Sequence, residues 1–413
     1  MSSISLHGRQ YSLPTRPTVV ICIDGCDPEY ITRGIADGVC PTIADFHQRG
    51  HGGVADCVMP SFTNPNNVSI VTGVSPAVHG IGGNYYLDRD TGREIMVTDA
   101  TLLRGETLLG LMSQADVPTA AITAKDKLRR ILGHNLRGIC FSSEKAADCA
   151  ETEHGIADVE TLVGRPAPDM YSGDLSLYVL DAGLALLRQG RARLLYLSLS
   201  DYVQHKHAPG TPESDAFLAA VDQRLRAFVD EGAVVGCVAD HGMSSKSDAD
   251  GRPNVIFLQD ELERQFGAGS ARVICPIADP FVRHHGALGS FVRVYARDAS
   301  TIEAMMRASA ALPGVFEVYG GAQAAALLGL PLDREADFVV VSEENFVLGS
   351  RDAEHDLSTV GDHPLRSHGG FSEQRVPFLL SHPLKPDYAA RAAADGLRNF
   401  DIFDFALNGV MDR

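Results

Sequence analysis

The chain has 413 residues, 45% of them hydrophobic, which is enough to bury a large core and excludes a disordered or fibrous protein. Its 36 basic against 53 acidic residues leave a formal charge of −17, which excludes a generally cationic surface for nucleic acid or anionic membranes. Any anion site must therefore be built locally, and metal ions are one source of the charge it needs.

Residues 1–16 are polar and lack the apolar centre of a signal peptide, and no run approaches the roughly 20 apolar residues of a membrane span. A cytoplasmic protein is expected. Eight cysteines are scattered along the chain without CxxC spacing, several inside apolar runs such as Val19–Ile23, and are expected to be buried thiols.

Thr18–Ile23 is a continuous apolar run that predicts a buried strand ending at Asp24-Gly25, and Pro41–Phe46 opens a helix with proline in its first turn. The turn Pro60-Ser61-Phe62-Thr63-Asn64-Pro65 precedes a short apolar run that reads as a helix start. Backbone N–H groups at such a start attract anions, so Thr63 is either a helix cap or a hydroxyl facing a phosphoryl group. Further on, Thr101–Gln114 predicts a helix, Thr119–Thr123 a strand, Leu175–Gln189 an amphipathic helix and Leu194–Leu199 a strand ending at Asp201. A helix over Ala216–Val229 and a strand over Ala233–Val238, ending at Asp240-His241-Gly242, follow. This alternation predicts an α/β fold with a mostly parallel central sheet and helices on both faces. Ligands of such sheets bind beyond the carboxyl ends of the strands, where Asp24, Asp201 and Asp240 are delivered.

The rhythm then changes. Strands at Phe291–Ala296, Val315–Tyr319 and Asp337–Val341 alternate with helices at Ala299–Ala311 and Ala322–Leu328. Residues 254–348 are expected to be a smaller inserted α+β cap, with 1–253 and 349–413 forming the core. The chain returns through Arg366-Ser367-His368-Gly369-Gly370 to a last strand at Pro377–Leu380.

Asp201 and His205 are four residues apart and point the same way if the chain turns helical there. With Asp24, Asp240, His241 and His368 they form a carboxylate and imidazole set that suits zinc, or manganese or iron. Aspartates at the ends of apolar strands are costly unless paired or metal-bound.

In this order, Asp24, Thr63, Asp201-x-x-x-His205, Asp240-His241-Gly242 and His368-Gly369 resemble the two-metal site of the alkaline phosphatase superfamily, and most closely its nucleotide pyrophosphatase/phosphodiesterase-like branch. Within that branch, Ser61–Asn67, Gly82–Tyr86 and Thr123–Leu128 are similar to the phosphonoacetate hydrolase family. The resemblance implies an alkaline phosphatase-like core and two zinc ions per chain. One would sit on Asp201, His205 and His368, the other on Asp24, Asp240, His241 and Thr63. It further implies a threonine nucleophile and a small phosphonate substrate met by Thr63, Asn64, Asn84, Lys125, Lys127 and His205. A homodimer is compatible with it, and no nucleic-acid or membrane partner is expected.

Cleaving phosphorus from carbon requires a sink for the carbon's electrons. An adjacent carboxylate serves if cations hold its growing charge. Lys125 and Lys127 have the spacing to share one face if the strand continues through them; the competing reading is a solvated lysine pair. The alternative function is a nucleotide phosphodiesterase or pyrophosphatase, for which an aromatic base slot is expected, and the chain has no tryptophan. His79 reads as a structural histidine, His207 as pointing away, His284-His285 as solvated loop, and His363 as a rival to His368 as ligand.

Overall fold

The computed structural model describes residues 3–279, 286–360, 363–394 and 396–411. Strands are numbered here for the two main sheets: β1 Thr18–Cys22, β2 His51–Asp56, β3 Thr119–Thr123, β4 Ile139–Ser142, β5 Leu194–Ser198, β6 Val234–Val238, β7 Ala271–Ile274, β8 Phe291–Ala296, β9 Val315–Gly320, β10 Phe338–Ser342 and β11 Arg375–Leu380. The helices that matter for the site are α1 Thr63–Thr72, α2 Asp126–Leu132, α3 Asp174–Arg188, α4 Tyr202–Lys206 and α5 Pro212–Asp230.

The central sheet has seven strands in the order β2-β11-β6-β1-β5-β3-β4. Pairs from β6 through β4 are parallel, while β11 lies antiparallel between β2 and β6. The expected mostly parallel sheet is therefore present, with one reversed strand.

Apolar runs such as Val19–Cys22 do not alternate with polar residues because both faces of the sheet are covered. On one side Val19 and Ile21 pack with Tyr178 and Leu186 of α3 and with Val221 and Leu225 of α5. On the other, Val20 and Cys22 pack with Ile70 and Val71 of α1, Leu128 of α2, and Phe403 and Phe405 near the C-terminus. Six of the seven buried cysteines sit in these apolar layers, and the seventh, Cys275, packs in the core of the second sheet.

The second sheet, β7-β8-β10-β9, is antiparallel throughout and lies within residues 254–348. Its core includes Val273, Phe291, Val294, Phe338 and Val340, and it reaches Phe62, the residue before Thr63. The helix expected over Thr101–Gln114 is broken: a short 3-10 turn covers Ala100–Leu102 and the α-helix begins only at Leu108. Thr107 causes this, since its side chain accepts from Gly110 N–H and caps a new helix start.

Candidate active site

Strands β6, β1, β5 and β3 are consecutive neighbours, and the residues that follow them are Asp240, Asp24, Asp201 and Lys125. All four side chains are buried. Parallel pairing thus places three carboxylates and an ammonium in one row at the carboxyl edge of the sheet. Gly25 turns the chain out of β1 with a positive φ of 70°, and an added Cβ there would come within 3.2 Å of Asp201 Cβ.

The helical turn expected after Asp201 is present. His205 N–H donates to the Asp201 carbonyl (2.9 Å), and His205 Nε2 lies 3.1 Å from Asp201 Oδ2. His368 arrives from the loop before β11 and stacks on His241, with ring centroids 3.5 Å apart and planes 8° from parallel. Gly369 is required beside it. With φ +122°, its missing Cβ makes room for the Phe62 ring, which an added Cβ would meet at 2.4 Å.

Thr63 is the first residue of α1, not its cap. The cap position is Phe62, which contributes no side-chain bond, and all ten residues of the helix are buried. Thr63 Oγ1 lies 3.5 Å from His241 Nε2. Asn67, one turn on, donates to Asp240 Oδ2 and to the Thr63 carbonyl, both at 3.0 Å. Its amide oxygen accepts from Tyr196 and Ser198 of β5 (2.7 and 3.0 Å). One side chain therefore ties the hydroxyl-bearing turn to the acidic edge. Sequence reading missed Asn67, and its signal was an Asn-Asn pair in a helix that has no solvent face.

Whether these residues fit metal ions can be tested on their hydrogen bonds. Each of His205, His241 and His368 points Nδ1 at a backbone carbonyl: Arg366 (2.8 Å), Gly242 (2.9 Å) and Ser61 (2.7 Å). Nδ1–H donation there leaves the Nε2 lone pair aimed at the carboxylates, the arrangement of metal-binding imidazoles. Among the described residues, neither oxygen of buried Asp24 has a hydrogen-bond partner. Its nearest charged neighbours are His241 Nε2 at 3.2 Å and Lys125 Nζ at 3.5 Å, and a bound cation would supply the direct partners its oxygens lack. Asp24, Asp240 and His241 offer ligand atoms within 4.8 Å of one another, as do Asp201, His241 and His368. His241 thus stands in both groups and His205 in neither, which differs from the division that the resemblance implies. The donor set nevertheless suits a divalent ion.

The electrostatics agree. Burial works against a charged His241, but Asp240 and Asp24 outweigh it and push the imidazole up to about 9. Burial and the neighbouring His241 hold His368 well below the usual histidine range, so the stacked rings are not both positively charged. Burial, then Asp24, raises the Asp240 carboxyl.

Lys125 and Lys127 are both buried, which removes the solvated-surface reading. They do not share a strand face, because the chain turns into α2 at Asp126, with Lys125 at the cap position. Lys125 Nζ lies 2.8 Å from Asp201 and 3.5 Å from Asp24, while Lys127 Nζ lies 2.8 Å from Asp279. Asp279 was missed too. It ends an apolar run in the same way as the aspartates that were noticed.

Asn64 and Asn84 meet, but each is engaged. Asn64 N–H donates to Asn84 Oδ1 (3.0 Å), and Asn84 Nδ2 donates to the Ile277 carbonyl (3.2 Å). His79 is structural as expected: buried, with Nε2 2.9 Å from Ser69 Oγ and Nδ1 accepting from Ile81 N–H. His207 lies 3.7 Å from Glu213, half-buried His363 meets the Pro364 carbonyl, and His284-His285 fall outside the described residues.

Residues 18–369 match the model of the type I phosphodiesterase / nucleotide pyrophosphatase family. A phosphonoacetate hydrolase from Sinorhizobium meliloti, crystallised with phosphonoformate, is 45% identical and superposes with a TM-score of 0.93 over 98% of this chain and 99% of that one. A phosphonoacetate hydrolase of Penicillium oxalicum is 60% identical over 48 residues, 11% of this chain and 67% of that one. Human ectonucleotide pyrophosphatase/phosphodiesterase 5 shares the fold, with a TM-score of 0.63 over 96% of each chain at 14% identity. This chain belongs to the type I phosphodiesterase/nucleotide pyrophosphatase family, of the alkaline phosphatase superfamily, and within it is similar to the phosphonoacetate hydrolases.

Proposed function

We propose that this protein hydrolyses the phosphorus–carbon bond of phosphonoacetate, giving acetate and phosphate. The observation that carries the reading is the pair of buried lysines at the acidic edge, in a chain 45% identical along almost its whole length to a phosphonoacetate hydrolase. Asp24, Asp201, Asp240, His205, His241, His368 and Thr63 would hold two zinc ions. Once bound, the ions would neutralise phosphoryl oxygens and favour deprotonated hydroxyl and water at the site.

The chain's own residues supply the rest. Thr63 Oγ attacks phosphorus as the P–C bond breaks, and the electron pair passes through the methylene carbon into the neighbouring carboxylate. Lys125 and Lys127 hold the charge that collects on those oxygens. A proton then returns to carbon, acetate leaves, and water attacks the phosphothreonine to free phosphate and restore Thr63. Asn64 N–H and the second N–H of the Asn84 side chain steady the phosphoryl oxygens, which requires Asn64 N–H to leave Asn84 Oδ1 while the other Asn84 N–H stays on the Ile277 carbonyl. Residues 254–348 act as the cap over this site.

A nucleotide phosphodiesterase is the second reading, because the family model bears that description. Phosphate release from phosphonoacetate by zinc-loaded protein separates the two. Release is expected, and no release together with rapid cleavage of a nitrophenyl nucleotide ester would exclude the first.

A further inference from the structure

One short segment of the inserted unit touches both ends of the proposed substrate site. Asn84 N–H donates to the Pro276 carbonyl (2.9 Å), and the Asn84 side chain donates to the Ile277 carbonyl (3.2 Å). Two residues further on, the Asp279 carboxylate receives Lys127 Nζ at 2.8 Å across 152 residues of sequence. The segment has little room to shift. Ile277 is buried, an added Cβ on Gly83 would meet Pro276 at 2.8 Å, and one on Gly289 would meet Ile277 at 3.2 Å. Asn84 and Lys127 come from separate parts of the core, and this one segment bonds both.

We infer that Pro276–Asp279 acts as a ruler that sets the distance between the phosphoryl and carboxylate ends of the site, with Asp279 the residue that positions Lys127 and so selects substrate length. This rests on the reading of Lys127 as a carboxylate ligand. A lysine ammonium carries three N–H donors, so Asp279 can hold one while others face substrate. A buried ammonium also needs a counter-charge to stay protonated, and Asp279 opposes the downward push that burial exerts on Lys127. Asp279 in addition lines an open cavity of 330 Å³ with Tyr85, Arg272 and His355.

The test measures kcat and KM for phosphonoacetate, and inhibition by inorganic phosphate, phosphonoformate and 3-phosphonopropanoate, in zinc-loaded wild type, Asp279→Asn, Asp279→Glu and Lys127→Met. In Asp279→Asn, KM for phosphonoacetate is expected to rise about tenfold, the loss of one charge-assisted hydrogen bond. kcat should fall as well, because Lys127 holds the charge that collects on the carboxylate as the bond breaks, whereas inhibition by phosphate, which has no carboxylate end, should hardly move. Asp279→Glu keeps the charge one methylene farther out and should restore part of the affinity while shifting the preference among the three phosphonates. Equal weakening of phosphate and phosphonoacetate, or no weakening, overturns the inference. Should Asp279→Asn not fold, an unchanged preference in Asp279→Glu overturns it instead. Lys127→Met separates the two levels: if it weakens both ligands equally, the carboxylate reading itself fails; if it acts on phosphonoacetate alone while Asp279→Asn does nothing, only the ruler fails.

Discussion

The reactive edge and the inserted segment that borders it are built on different physical terms. Asp24, Asp201, Asp240 and Lys125 follow four adjacent parallel strands whose register is locked by backbone pairing, so their spacing is inherited from the sheet. Lys127 and Asn84 are held by Asp279, Ile277 and Pro276 of a separate antiparallel unit, through three hydrogen bonds. The first arrangement is rigid and acidic and suits cations and a phosphoryl group. The second is a contact between units, joined to the first where Asn64 N–H donates to Asn84 Oδ1.

The most damaging break in the reactive edge is Thr63→Ala. Turnover should fall by more than about a thousandfold, while metal analysis should still find most of the zinc, since one oxygen donor among seven residues is lost. Full activity would exclude the covalent route.

Asn67→Ala is next. It leaves every proposed ligand in place but frees Asp240 Oδ2 and the Thr63 carbonyl from their shared donor. Zinc affinity, read by competition with a chelator, should drop by about 10- to 100-fold, the usual effect of removing a group that orients a ligand.

The two lysines sharpen the comparison itself. Lys125 belongs to the reactive edge, where Asp201 and Asp24 outweigh the effect of burial and hold its ammonium well above the ordinary lysine value. Lys125→Ala leaves buried carboxylates without their cation and should destabilise metal-free protein by roughly 3–5 kcal/mol in thermal or urea unfolding, with zinc restoring much of it. Lys127→Ala should affect phosphonoacetate far more than an aryl phosphate ester. Equal losses on both substrates would place Lys127 outside the carboxylate site.

The smallest effect is away from the site. Burial holds His79 down at about 3 against an ordinary value of 6.5. The unfolded chain therefore takes up a proton below about pH 6.5 that the folded protein refuses until about pH 3, so this residue's contribution to stability is complete above that window and is lost as pH falls through it. In metal-free His79→Gln, the acid limb of stability against pH should be shallower by up to about 1.4 kcal/mol per pH unit. An unchanged limb would mean that His79 is open to solvent at acid pH.

Much of the reactive edge was legible because its signals are local. An apolar run ending in aspartate marks the carboxyl end of a buried strand, and a spacing of four residues in Asp201 and His205 marks one turn of α4. The less legible part lies in pairings between distant residues. The expectation that Lys125 and Lys127 share a strand face failed because α2 begins between them, and the partner of each was a carboxylate far along the chain. Stacking also brings His241 against His368, and no spacing in sequence encodes a ring contact across 127 positions.

Periodicity and residue type by themselves determined the alternation of strands and helices, the burial of both sheet faces, and which carboxylates and imidazoles stand at strand ends. These follow from nearest-neighbour geometry, which repeats every two or 3.6 residues. Tertiary structure alone decided the strand order that sets Asp240, Asp24, Asp201 and Lys125 in one row, the reversed β11 that brings His368 to His241, and the contact of Asp279 with Lys127. Those depend on which surfaces are buried together, a property of the whole chain that no local window contains.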